Sequence, residues 1–191
     1  MSEADIERLN ALLRAGLARH LAFAVVEGRA LEATAWAEHR VNQRGYQLLD
    51  LPNTAWPTPA LVWDLTPVNW HHAMDGMAAE AFAADYPHVA LFEVERAELE
   101  AVLAPGARRL KDPFSQAYRS KTARLVAHLE SGAQVTPPFV VHTSAGWAFA
   151  GGYHRFGWAC HLGLAKMPIL VRAGEQARLA SAAPSLTEMA A

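Results

Sequence analysis

The sequence predicts a fold of the α/β class, an α+β mixed sheet flanked by helices, and three observations lead to this prediction. Short β-branched and aromatic runs alternate with segments whose apolar residues recur at helical spacing. Glycine and proline residues separate these segments and mark the turns between them. Apolar residues make up 52% of the 191 residues and aromatic residues 9%, a composition that supports a core and argues against general disorder.

Charge and cysteine content exclude several classes of protein. The net charge of −2 gives no overall basic surface, so nucleic-acid binding would require a local patch. The single cysteine, Cys160, excludes an internal disulfide framework and a cysteine-rich zinc site. Residues 1–20 are charged and amphipathic, and no apolar run reaches about 18 residues. We therefore expect a cytoplasmic protein with no membrane span.

Residues 1–87 are expected to form an N-terminal elaboration packed on the core that follows. Apolar residues at helical spacing predict an amphipathic helix near the N-terminus, and a weaker pattern of the same kind follows it. The segment 21–26 is compatible with a strand or with a continuation of the first helix. Short apolar runs predict two strands, and an alanine-rich stretch predicts a third helix. In order, the predicted elements are a helix over 5–20, a helix over 32–40, strands over 46–51 and 60–65, and a helix over 74–84.

Residues 88–173 are expected to form the core, and residues 174–191 a tail that frays. Within the core, β-branched runs predict strands, and apolar residues three and four apart predict helices. Gly163 fits the C-terminal cap of the last helix, and Pro168 follows before an apolar strand. In order, the predicted elements are a strand over 88–94, a helix over 95–104, a basic loop over 108–118, a helix over 119–131, strands over 139–142 and 147–150, a helix over 153–164 and a strand over 169–171.

The most informative segment is the turn that joins the strand over 147–150 to the helix after it. Gly151 and Gly152 precede that helix, and His154 and Arg155 lie in its first turn. A strand that runs through glycines into a helix directs backbone N–H groups toward one point, which favours an anion. His154 and Arg155 add donors suited to phosphate, so they are the candidate catalytic residues.

This segment resembles the ParB/sulfiredoxin superfamily, in which a related element on such a turn holds nucleotide phosphates. Sulfiredoxins carry Gly-Gly-Cys-His-Arg, and the sequence Gly-Gly-Tyr-His-Arg at 151–155 differs at one position. The resemblance covers roughly residues 89–172. Further positions match the pattern downstream of the turn in ParB-type domains, and these are Ala159, Leu162, Gly163, Pro168 and Val171.

The resemblance implies a nucleotide site that holds ATP, with Mg²⁺ bridging its phosphate oxygens. Lys121 matches the lysine-bearing helix that precedes the Pro-Pro strand in sulfiredoxins, where it helps to hold ATP. Sulfiredoxin activity itself is not expected, because Tyr153 replaces the cysteine nucleophile and a phenol with a pKa of about 10 cannot act as a thiolate. The expected cofactor-binding residues are Lys121, Thr136, Gly151, Gly152, Tyr153, His154 and Arg155.

A basic segment before the predicted helix over 119–131 is the candidate contact for DNA. Cations can bind the phosphate backbone, and the interleaved Phe114 and Tyr118 can stack on unpaired bases. A solvent-exposed loop and helix face is the alternative interpretation. The candidate DNA-binding residues are Arg108, Arg109, Lys111, Arg119 and Arg124.

The pair His71-His72 is the other conspicuous cluster. Asp75 nearby could complete a divalent metal site, but adjacent residues point away from each other on a helix or strand and seldom share one ion. Asp75 also fits a helix N-cap. We therefore predict no metal site here, and the role of the two histidines stays open.

Membership of the superfamily does not by itself define a function. The chain length and the N-terminal elaboration resemble plasmid fertility-inhibition (oncogenic suppression) factors of this fold. That resemblance implies ATPase and DNase activity and a block of DNA transfer through a type IV secretion system, by contact with its coupling protein or with the transferred nucleoprotein. Two alternatives stay open, a non-catalytic protein-binding inhibitor on the same fold and a small-molecule kinase of the same superfamily.

Overall fold

The computed structural model describes residues 1–74, 76–108 and 112–190. It confirms the predicted fold class, because helices accompany a five-stranded mixed sheet in this part of the chain. The chain divides into two compact units, Met1–Trp56 and Pro57–Ala191. The predicted boundary at residue 87 therefore falls inside the second unit, and the segment 57–87 belongs to the unit that carries the sheet.

The first unit contains the helices α1 (Glu3–Arg14), α2 (Arg19–Val26) and α3 (Glu32–Leu49). A capping box starts α1, since the Ser2 hydroxyl accepts from the Asp5 N–H and the Asp5 carboxylate accepts from the Ser2 N–H. The single helix predicted over 5–20 is wrong in extent, because Gly16 takes a left-handed φ of 93° and ends it. The segment 21–26 is neither a strand nor a continuation of α1, because it belongs to the separate helix α2, which starts at Arg19.

The strand predicted over 46–51 is wrong, because α3 continues to Leu49. Gly45 and Leu48 are both buried, and their spacing of three positions is helical rather than alternating. Tyr46, between them, is 71% exposed. The short apolar run was therefore the end of an amphipathic helix.

The second unit has a sheet with helices and one longer 3-10 helix. The predicted strands and helices between residues 88 and 172 are confirmed, with ends that shift by a few positions. The elements are the 3-10 helix Pro67–Ala73, α4 (Ala79–Asp85), β1 (Val89–Glu95), α5 (Arg96–Val102), α6 (Arg119–Glu130), β2 (Phe139–Thr143), β3 (Gly146–Gly151), α7 (Tyr153–His161), β4 (Lys166–Arg172), α8 (Gln176–Ala182) and β5 (Thr187–Glu188).

The strand order is β3-β2-β4-β1-β5, in which β2 and β4 are parallel and the other neighbours are antiparallel. Successive residues of a strand face opposite sides, so the sheet buries two apolar clusters. Phe92, for example, belongs to the cluster that contains residues of α5, α7 and α8. Its neighbour Leu91 belongs to the cluster that contains Trp70 and Ala73 of the 3-10 helix.

Three further predictions outside the segment 88–172 need correction. The segment 60–65 is no strand, and only Trp63 makes a bridge, with Val135. The helix predicted over 74–84 is confined to α4. The tail is part of the fold, because α8 buries Leu179 completely and β5 pairs with β1. None of the helices in the described part of the chain has the length and apolar character needed to cross a bilayer.

Candidate functional site

The two glycines of the turn are required by close backbone contacts. A Cβ at Gly151 would lie 2.0 Å from the carbonyl oxygen of Ala73. A Cβ at Gly152 would lie 2.6 Å from Cα of Pro138, and the φ of Gly152 is +89°, in the left-handed region that favours glycine. The chain therefore passes directly from β3 into α7 while touching two other segments.

The first turn of α7 presents backbone donors at this point. Gly152 is the N-cap residue and no side chain caps the helix. The helical hydrogen bonds begin with the Phe156 N–H, which donates to the Gly152 carbonyl over 3.0 Å. The N–H groups of Tyr153, His154 and Arg155 precede this bond, and the first turn holds no acidic residue. Such a helix start carries the positive end of the helix dipole.

The side chain of Arg155 is buried and holds the surrounding backbone together. It is 9% exposed, and Nη1 donates to the carbonyl oxygen of Thr136 over 2.6 Å and to the Thr136 hydroxyl. Its Nη2 donates to the carbonyl oxygen of Ala73 over 3.0 Å, with a longer contact of 3.5 Å to that of His72. Arg155 thus has a structural function, and its catalytic and phosphate-binding roles stay predictions.

Thr136 is also buried and hydrogen-bonded within the protein. It is 4% exposed, and its hydroxyl faces the guanidinium of Arg155. Because α7 belongs to one apolar cluster and Ala73 to the other, Arg155 joins the two layers across the end of the sheet. A contact between Thr136 and a ligand stays a prediction.

His154 brings the start of α7 close to the start of α6. Its ring lies 5.7 Å from that of Tyr118, centroid to centroid, in an edge-on arrangement. Tyr118 is the N-cap residue of α6, whose first turn also lacks acidic residues and has no side-chain cap. Lys121 is exposed in that turn. The rings of Tyr118 and His154 therefore link the starts of the two helices, and Lys121 and His154 lie in their first turns.

In the described part of the basic segment proposed for DNA, Arg108 is hydrogen-bonded to the protein backbone. Arg108 donates from Nε to the carbonyl oxygen of Leu103 over 2.6 Å and from Nη2 to that of Ala101, so its guanidinium caps the end of α5. Arg119 is half-buried and Arg124 is exposed. The predicted contacts Arg109 and Lys111 lie outside the described residues.

The two aromatic residues of this segment face the protein. Phe114 packs edge-on against Trp158 and His161, with centroids 6.1 and 5.0 Å away, and Tyr118 packs against His154. To stack on bases as predicted, Phe114 and Tyr118 would therefore have to leave these contacts within the protein.

The structure brings the backbone of His72 and Ala73 to the glycine turn and Arg155, which the sequence analysis did not foresee. The rings of His71 and His72 are 3.9 Å apart, centroid to centroid. Partial burial, then the nearby His71 and Arg155, lower the pKa of His72, and Asp64 opposes them. Within the ranges that the structure describes, no three potential ligands are grouped to hold a metal ion. The N-cap role considered for Asp75 falls on a residue outside those ranges.

Asp64 was also missed by sequence reasoning. Its carboxylate accepts from the Thr66 N–H over 3.0 Å and from the Asn69 side-chain amide over 2.7 Å. Burial raises the pKa of Asp64, but these hydrogen bonds and the nearby His72 outweigh it and lower the pKa overall. The only available signal was local, because an Asp two residues before a Thr is typical of a hydrogen-bonded turn.

Comparisons of this chain with protein-family models, with curated proteins and with solved structures found no match. The candidate site therefore rests on its own geometry, and the superfamily resemblance stays an expectation from sequence.

Proposed function

We propose that this protein binds a nucleoside phosphate, with ATP as the candidate ligand, at the paired starts of α6 and α7. The contact between Tyr118 and His154 carries the proposal, because it links the starts of two helices that have no side-chain cap. Each N-terminus carries about half a positive charge, and the two together favour a polyanion more strongly than one would.

The charges around this place agree with a phosphate ligand. Neither helix has an acidic residue in its first turn, whereas His154 and Lys121 lie in those turns. Arg155 contributes by holding the turn in shape through Thr136 and Ala73. Mg²⁺, if bound, would be held by phosphate oxygens and water with few protein ligands, as this ion prefers.

Calorimetric titration with ATP, ADP and inorganic phosphate tests the proposal. Removing one hydrogen bond to a charged group costs about 1.5–3 kcal/mol, so His154→Ala should weaken ATP binding about tenfold or more. His88→Ala, an exposed histidine of the same unit, is the matched control and should leave the affinity unchanged. Equal affinity in the wild type and His154→Ala would remove the ligand from this turn.

DNA binding is a second candidate, favoured by the exposed pair Lys121 and Arg124 on α6. Residues three apart lie on one face of a helix, so both can reach adjacent phosphates. Single-stranded DNA should then bind with a log–log salt slope of about −0.7 per neutralised phosphate. Lys121→Ala with Arg124→Ala should reduce the steepness of that slope by about one unit, whereas an unchanged slope would exclude this face.

The ATPase, DNase and fertility-inhibition roles extend these proposals and rest on the superfamily resemblance. Their direct test is conjugative transfer of a plasmid from cells that express the wild type or His154→Ala. Inhibition that requires His154 would link the site to the transfer block. Inhibition that persists in the variant would favour the non-catalytic protein-binding alternative.

A further inference from the structure

The backbone that carries His72 lies directly against the glycine turn formed by Gly151 and Gly152. We define the strap as residues 64–74, the segment that ends in the 3-10 helix Pro67–Ala73 and Met74. A Cβ on Gly151 would meet the carbonyl oxygen of Ala73 at 2.0 Å and Cα of Met74 at 3.3 Å. Arg155 adds hydrogen bonds to the last carbonyls of the strap.

The strap holds its shape through internal bonds and buried anchors. Asp64 accepts from Thr66 and Asn69 at its start, and the Trp70 indole N–H donates to the carbonyl oxygen of Leu65 over 3.2 Å. Trp70 and Ala73 are 8% and 0% exposed in the apolar cluster on one face of the sheet. His72 lies between these two anchors, and its own side chain is exposed. An accessible imidazole is therefore held on a fixed backbone beside the turn.

The surroundings of His72 favour its neutral imidazole. The ring of His71 lies 3.9 Å away at an interplanar angle of 41°, the guanidinium of Arg155 adds a positive charge, and Asp64 supplies the opposing negative charge. Partial burial is the largest effect, and together with the two basic groups it lowers the pKa of His72 from the ordinary value of 6.5. A neutral imidazole can accept a proton, as a general base must.

We propose that His72 is a catalytic residue that activates water for hydrolysis of the terminal phosphate of a nucleoside triphosphate bound at the turn. This inference rests on the proposed function, since the substrate must first occupy that place. The water oxygen forms a bond to the terminal phosphorus as the bond from phosphorus to the bridging oxygen breaks. That electron pair leaves with the nucleoside diphosphate, and the proton of the water passes to His72 and then to solvent.

The surroundings of Arg155, His154 and His72 indicate a different role for each residue. Arg155 is committed to backbone carbonyls, and His154 lies at the helix start where the phosphates would bind. His72 belongs to a different segment, and its carbonyl oxygen lies 3.5 Å from Nη2 of Arg155, so the proposal requires its imidazole to reach a water beside the phosphates. A positioned general base contributes about 10²–10⁴-fold to a rate, which sets the scale of the expected loss.

The test measures binding and turnover separately on the full chain. Affinity for a non-hydrolysable ATP analogue is measured by calorimetry, and phosphate release from ATP with Mg²⁺ gives kcat. His72→Ala and His72→Gln should both lower kcat about 100-fold or more, while the analogue binds within about twofold of the wild type. His88→Ala should retain both properties. In the wild type, kcat/KM should rise with pH through an apparent pKa below 6.5, and this dependence should vanish in His72→Gln.

Each contrary outcome has a distinct meaning. Analogue binding without turnover in the wild type would overturn the role of His72 and leave the proposed function in place. Turnover that is unchanged in both His72 variants would do the same. Loss of analogue binding in His72→Gln, with an unchanged melting temperature, would make His72 a binding group instead. Absence of analogue binding in the wild type would overturn both proposals.

Discussion

At the scale of single residues, Gly151 is the position where the site is most sensitive to a small change. Gly151→Ala would place a methyl group 2.0 Å from the carbonyl oxygen of Ala73, which real structures do not tolerate. Because backbone must move, we expect a loss of about 3 kcal/mol in the free energy of unfolding. Urea denaturation measures this loss.

Gly106→Ala is the matched control for that substitution. No atom lies within 4 Å of a Cβ built at Gly106, and its φ is outside the left-handed region. We expect a change below about 1 kcal/mol, because such a replacement acts chiefly on the unfolded chain. Equal stability of the Gly151 and Gly106 variants would contradict the close contact with the strap.

The lowered pKa of His72 also predicts how the free energy of unfolding depends on pH. Its pKa in the folded protein is lowered from 6.5, so between the two values the unfolded chain binds more protons than the folded one. The free energy of unfolding should therefore fall as pH decreases through 6.5 toward the folded pKa. Denaturation of the wild type and His72→Ala over this range measures the effect, and the variant should depend less on pH. A steeper dependence in His72→Ala would reverse the inferred sign.

At the scale of elements, α8 shows that the C-terminal segment belongs to the core. Leu179 is 0% exposed in the cluster that contains Phe92 and Phe156. Leu179→Ala should cost about 2–5 kcal/mol of unfolding free energy, through lost burial and a residual cavity. Val68→Ala removes an apolar side chain that is 71% exposed and should change stability by less than about 0.5 kcal/mol. Thermal unfolding of both variants makes the comparison, and equal melting temperatures would mean that α8 frays.

The accuracy of the sequence predictions differs between elements for physical reasons. The strand Phe139–Thr143 and the helix Tyr153–His161 were predictable, because local β-branched content and a glycine turn define them. The segment 60–65 has the same apolar composition, but only Trp63 makes a bridge, with Val135. Strand formation depends on a partner, and composition alone does not reveal whether one is present.

At the scale of the whole molecule, each unit contains an apolar cluster drawn from its own residues. One apolar cluster is drawn entirely from the first unit and includes Leu9, Leu12 and Leu21. Since the second unit holds its own sheet and clusters, residues 57–191 produced alone should unfold in one cooperative transition. Under the proposed function, this fragment should also bind ATP with the affinity measured for the full chain. Calorimetry and thermal unfolding of this fragment test the expectation. A fragment without a cooperative transition would show that the first unit is required for folding.

The candidate site shows which properties were local and which were not. The anion-binding turn could be proposed from Gly151, Gly152 and the helix after them, because consecutive residues create it. The burial of Arg155 could not, since its acceptors at Thr136 and Ala73 lie 19 and 82 positions away. The nearness of His72 to the turn has the same origin, because it depends on how the strap crosses the end of the sheet.

The sequence by itself therefore determined the fold class, the order of elements from residue 88 to 172 and the glycine turn. Periodicity, caps and turn residues act between near neighbours, so a local pattern suffices for these features. The tertiary structure alone decided that Arg155 joins two layers, that Leu179 is buried in the core and that the backbone of the strap meets Gly151. These contacts form between distant segments as apolar surface is buried, and only the folded chain brings their partners together.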